Sequence, residues 1–315
     1  MKTSYRTLLA AAVLGLTGLA AQAQSNWYPS KWGPNDEIGA ANYLTPAVAL
    51  NAARLVKTGK TYSLGITVNT STPAYPPRTC SIYIVQPGQQ GSADGLGPTK
   101  TTYNDDILNC WTGIGTQMDG LGHIGVGDRY YNGNKWQEFG NISGLKKLGA
   151  DKVPPMVTRG VLLDMAAHYG VDVVKEGTAF NTAEIEAVAR KQGVEIRQGD
   201  VVLFHTGWLS LIEKDPKRYA SVEPGLGRDG ARYLVGKGVV AVGADSWAVE
   251  AIPFEQGAGI FEVHQILLPM NGTYILENIN TAELAKDKAY EFLFVLGQNK
   301  YQGAVQSMIN PVAIR

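Results

Sequence analysis

Charge of one sign is the first thing this sequence lacks. Its 28 Lys and Arg residues offset 28 Asp and Glu over 315 residues, and no block of Lys or Arg stands out to neutralise phosphates. Nucleic acid is therefore excluded as the expected partner. Long apolar runs are also missing: beyond the N-terminus none approaches the ~20 residues of a transmembrane helix, so no integral membrane segment is expected. There is no internal repeat. No G-x-S-x-G elbow is present, which argues against a serine hydrolase. Cysteine is limited to Cys80 and Cys110, which are not at metal spacing. In an exported chain the even count permits a disulfide, the alternative being two buried thiols. Histidine is scarce, with 4 in the whole chain.

What is present begins with an address. Lys2 and Arg6 precede the apolar run Leu8 to Ala20, followed by Ala21-Gln22-Ala23. The run of about 13 residues is too short to span a bilayer and reads as a secretory signal over residues 1–23. A periplasmic or secreted protein is expected, with one domain over residues 24–315.

Within that domain, "TPAVALNAARLVKTGK" predicts a helix with Thr45 as N-cap, Pro46 at the first position and Gly59 as its stop. "TYSLGITV" and "CSIYIVQPG" read as strands, and "GQQGSADGLGPTKTTYNDD" as a long loop. Farther on, "RGVLLDM", "GDVVLFHTGW", "KGVVAVGADS" and "YEFLFVLG" suit buried strands. Between them, "NTAEIEAVARKQG" and "NTAELAKDKA" offer capping boxes at Asn181/Glu184 and Asn280/Glu283. The alternation implies an α/β fold with some parallel sheet.

Two segments carry chemistry. "GIGTQMDGLGHIG" places Asp119 and His123 among glycines, whose freedom to take positive φ lets short side chains converge. Asp in such a stretch also serves as an ordinary turn residue. "EVHQILLPMNGTYILENI" places His264 and Glu277 so that a strand or turn, the loop "PMNG" and a short strand return both to one end. An imidazole with two carboxylates suits Zn²⁺ or Mn²⁺. "GVGDRYYNG" and "GLGRDG" are glycine-rich, but neither follows a strand and opens a helix as a phosphate loop must. His168 ends the apolar run "VLLDMAAH", and His205, inside "VVLFHTGW", reads as a hydrogen-bonded core imidazole. Trp111, Tyr103, Tyr130, Tyr131 and Trp247 flank these segments and are candidates for the walls of a substrate pocket.

Together the segments resemble the bacterial cyclase family, which includes kynurenine formamidases and isatin hydrolases. "GTQMDGLGHIG" is similar to the signature His-x-Gly-Thr-His-x-Asp-x-Pro-x-His, and "GDVVLFHTGW", "GADS", "EVHQILLPMNGTYILENI" and "INPVAI" follow in family order. The resemblance implies a swivelling β/β/α domain, a mixed sheet with flanking helices, assembled as a homodimer or homotetramer. Gly115, Thr116, Asp119, His123, His264 and Glu277 match. The first signature His falls on Gly113, the second on Gln117, and the Pro on Leu121. The resemblance thus implies one divalent metal ion per chain, Mn²⁺ or Zn²⁺, held by Asp119, His264, Glu277 and Gln117 through its carbonyl. It also implies catalysis by His123 and Glu277.

The function expected is hydrolysis of an amide, cyclic amide or lactone in a small, aromatic molecule, with His123 as general acid and base. Two other readings stay open. One is a periplasmic small-molecule binding protein, motivated by the loss of both signature His. The other is metal-free acid/base catalysis by His123 with Glu277.

Overall fold

The computed structural model describes residues 27–86 and 95–315. The expected secretory signal, residues 1–23, lies outside them. Among the described residues the strands are Thr61–Ser63 (β1), Cys80–Val85 (β2), Asp105–Cys110 (β3), Gln117–Asp119 (β4), Met156–Asp164 (β5), Ala179–Phe180 (β6), Val201–His205 (β7), Gly225–Leu226 (β8), Ala241–Ala244 (β9), Tyr274–Glu277 (β10), Glu291–Leu296 (β11), Gln306–Met308 (β12) and Val312–Ile314 (β13). Nine of them form one sheet in the order β1-β13-β11-β5-β7-β9-β10-β4-β12. The central β5, β7, β9 and β10 run parallel, and both wings pair antiparallel. This is the mixed α/β architecture expected from the sequence.

The four apolar runs form β5, β7, β9 and β11. Those in the parallel centre are buried on both faces, and this is why their sequences are continuously apolar rather than alternating. In the antiparallel wing, β11 does alternate. The first helix starts as expected: Thr45 accepts the Val48 N–H at 3.3 Å, with Pro46 in the first turn. It ends at Ala53, short of Gly59. Beyond it the N–H groups of Thr58 and Gly59 donate to the Arg315 carbonyl, which draws the chain into the β1–β13 pair. The Asn181/Glu184 box caps the Thr182–Gln192 helix. The Asn280/Glu283 box does not form. That helix, Ala282–Lys286, starts after Thr281 with no side-chain cap, and the Asn280 N–H that Glu283 would have accepted donates to the Leu64 carbonyl at 2.8 Å.

Two further expectations change. Asp105 and Asp106, read as loop, open β3, which pairs with β2 so that Cys80 lies opposite Cys110; the two form a disulfide. "GLGRDG" does follow a short strand and open a helix, Arg228–Lys237. The end of that helix is filled from within: Glu255 accepts the Arg228 N–H, and Asn181 Oδ1 accepts the Gly230 N–H. A phosphate has no place there.

Candidate metal centre and pocket

Strand register assembles the site. Side chains alternate across a strand, and residues directly opposite on paired strands share a face. Gln117 and Asp119, two apart on β4, therefore point the same way. Glu277 of β10 lies opposite Gln117, and Gln306 of β12 lies opposite Asp119. Four polar side chains thus form a patch over three short strands, while Met118 and Leu276 face the core. Gly115, at φ +68°, turns the chain into β4. Thr116 then donates to the Asn278 carbonyl at 2.6 Å, and the Asn278 amide donates to the Gly115 carbonyl at 2.8 Å. These two bonds fix the end of β10 that carries Glu277.

His264 reaches the same place from a helix, Glu262–Asn271, not from the strand or turn expected. "PMN" continues that helix with Pro269 inside it, and Gly272 in the left-handed region ends it. His264 Nε2 lies 3.4 Å from Glu277 Oε1 and 3.8 Å from Asp119 Oδ2. On its other side, Nδ1 contacts Glu250 Oε1 at 2.5 Å. All four residues are buried. His123, on the turn after β4, brings Nε2 to 3.9 Å from Asp119 Oδ2.

Burial alone would lower the basicity of His264, but Glu250 and Glu277 outweigh it and push its pKa up to about 10. Burial and the neighbouring Asp119 raise Glu277 to about 7, against the opposing pull of His264 and Gln117. His123 moves the other way: burial lowers its pKa, His264 and Arg78 add to the effect, and Asp119 opposes it. The result is a neutral imidazole next to an acidic cluster.

The residues fit a divalent cation. Asp119, His264 and Glu277 each offer one ligand atom, all within 4.8 Å of one another. Asp119 Oδ2 is buried with no hydrogen-bond partner among the described residues, although such an oxygen is costly to leave unsatisfied. Gln117 takes a different part from the one expected. Its amide nitrogen donates to Glu277 and its oxygen accepts from Gln306 at 2.8 Å, so its carbonyl is engaged inside the patch. Gln306 also donates to Asp119 Oδ1 at 2.6 Å. Gly113 is not an empty ligand position: a Cβ there would meet the Arg78 guanidinium and Gln306 Oε1, both at 2.8 Å.

His123, His264 and Glu277 open onto a cavity of about 180 Å³. Trp247, stacked on Tyr75 at 5.8 Å, and Phe261, edge-on to His264 at 5.2 Å, wall it. Glu223, buried, accepts the N–H groups of Trp247 and Ala248 and holds that wall in place. A larger cleft of about 720 Å³ lies between the N-terminal arm and the Glu262–Asn271 helix, away from the Asp119–His264–Glu277 cluster.

Of the expected wall residues, only Trp247 lines the 180 Å³ cavity. Trp111 and Tyr103 are exposed on the segments flanking β3, and Tyr130 packs on Trp136 and Phe139. Tyr131 is buried, with its hydroxyl bonded to Ser30 and Asp36. His205 is a hydrogen-bonded imidazole at the end of β7, as expected. Residues the sequence did not single out are Glu250, Gln306, Tyr75, Arg78 and Phe261. Glu250 carried one signal, an acid within the apolar "AVEAIP".

The Cyclase family model matches residues 62–251. A solved structure described as a novel cyclase is 33% identical over 90% of this chain and 96% of its own, with a TM-score of 0.82. Isatin hydrolase A from Ralstonia solanacearum shares the fold at 18% identity, over 86% of this chain and 97% of its own, with a TM-score of 0.62. A structure described as a potential metal-dependent hydrolase with cyclase activity does so at 17%, over 81% and 98%, with a TM-score of 0.52. No curated protein matches the chain. With three-fifths of its length matched by the family model, and a one-third identical relative aligned over nine-tenths of it, the chain belongs to the cyclase family.

Proposed function

We propose that this protein is an exported, single-domain hydrolase, dependent on one divalent metal ion, Mn²⁺ or Zn²⁺. It opens an amide, cyclic amide or lactone bond in a small aromatic molecule. The observation that carries the reading is the convergence of Asp119, His264 and Glu277 with Asp119 Oδ2 left unpartnered. These three residues would hold the ion. When bound, it would polarise the scissile carbonyl and acidify a water.

The chain's own groups do the rest. Glu250 holds His264 Nδ1, so that Nε2 faces the two carboxylates. Gln117 and Gln306 fix Glu277 and Asp119 in place. His123, kept neutral, accepts the proton of the attacking water at its free ring nitrogen and returns it to the leaving nitrogen or oxygen. The products are a carboxylic acid and an amine or alcohol. The stacked Tyr75 and Trp247 rings offer a flat wall to an aromatic substrate. A homodimer or homotetramer completes the proposal.

The test is metal content per chain, by plasma mass spectrometry, on protein purified without chelator or nickel. About one Mn or Zn per chain, lost in Asp119→Ala and His264→Ala, is expected. No metal after incubation with Mn²⁺ and Zn²⁺ would overturn the reading in favour of a small-molecule binding protein.

A further inference from the structure

The pocket contains one charged group to which hydrolysis assigns no task. Arg78 lines it beside His123 and Trp247. Its Nη1 donates to the Gly113 carbonyl at 2.9 Å, and it joins no ion pair among the described residues. A guanidinium carries five donors in a planar fork, and one is used here among the described residues. The chain is shaped around this group. A Cβ at residue 113 would stand 2.8 Å from Nη1 and 2.9 Å from Cζ, so a side chain there would displace the guanidinium. The Cys80–Cys110 disulfide and the Trp111 N–H bonded to the Thr79 carbonyl at 3.1 Å tie together the two segments that bring Arg78 to Gly113.

We propose that Arg78 binds the carboxylate of an anionic aromatic substrate, so that the molecule opened bears an acid group as well as the scissile bond. A guanidinium fork matches a carboxylate in two parallel hydrogen bonds. The aromatic walls Tyr75, Trp247 and Phe261 take the ring. The positive charge also offsets the repulsion an anion would meet from Asp119, Glu277 and Glu250. The inference relies on the hydrolase reading for what happens to the substrate, but not for its binding.

The test is calorimetric titration with benzoate and with benzamide, on chelator-treated protein and again with Mn²⁺ added, beside a metal assay and a thermal unfolding curve for each sample. Benzoate is expected to bind at least about tenfold more tightly than benzamide, the size of one charge-assisted contact. That preference should vanish in Arg78→Met and survive in part in Arg78→Lys. It should also fall in Gly113→Ala, where the arginine is present but displaced. Equal binding of the two probes, no binding of benzoate, or a preference that survives Arg78→Met would overturn the proposal. So would a preference seen only with Mn²⁺ and unchanged in Arg78→Met, which would assign the carboxylate to the ion. Failure to take up metal would sink the hydrolase reading and leave the benzoate result standing.

Discussion

His264 is gripped from opposite sides, by Glu250 on Nδ1 and by Glu277 and Asp119 around Nε2. That division of the ring is what a ligating imidazole requires, because the nitrogen away from the metal sets tautomer and orientation. Glu250→Gln leaves the three proposed ligands intact and removes the acid that orients one of them. Its expected effect is a loss of about 10- to 100-fold in metal affinity, measured by titrating metal-free protein against a chromophoric chelator. Unchanged affinity would reduce Glu250 to a packing residue. Asp119→Ala removes a proposed ligand outright and is expected to abolish binding in the same assay.

Among the elements, the β2–β3 hairpin stands apart from the main sheet and is clamped at its base by Cys80–Cys110. The bond closes a loop with a sequence separation of 30, and a cross-link of that span is worth about 2–4 kcal/mol. Cys110→Ser should lower the stability measured by urea unfolding by that amount, and reductant should do the same to the wild type and nothing to the variant. How far the sequence announced these elements depends on how local their causes are. The Asn181/Glu184 cap depends on neighbours three residues apart and forms. The similar Asn280/Glu283 pattern fails because a residue remote in sequence, Leu64, takes the Asn280 N–H with its carbonyl. The apolar strands of the centre were readable because two covered faces leave a continuous signal. The strands β4 and β12, three residues each and partly polar, carry no such signal and exist through their pairing. "PMNG" has the composition of a loop, yet packing of Ile266, Leu267 and Leu268 carries the helix through Pro269. Asp119, His264 and Glu277 were recognisable as a motif; Glu250, Gln306 and Arg78 join them only through tertiary contact.

At the scale of the whole molecule, the antiparallel wing is fastened to the parallel centre by Arg159. From β5 it bonds Asp200, just before β7, through Nε and Nη2 at 2.9 and 2.6 Å, and Glu291 of β11 through Nη1 at 2.5 Å. Arg159 and Asp200 are buried, so removing one partner strands a charge in the interior. Asp200→Ala is expected to cost about 3–5 kcal/mol, read from the urea midpoint with the metal content of the surviving folded protein unchanged. The patch at the other end of the sheet obeys a different rule, one of parity. Gln117, Asp119, Gln306 and Glu277 share a side only because each is an even number of residues from its neighbour on the same strand or directly opposite on the next. One residue inserted within β4 would turn Asp119 toward the core and Met118 toward the cavity. The polar patch therefore has no graded response to a change of length in that strand: an odd insertion erases it and only substitution can tune it.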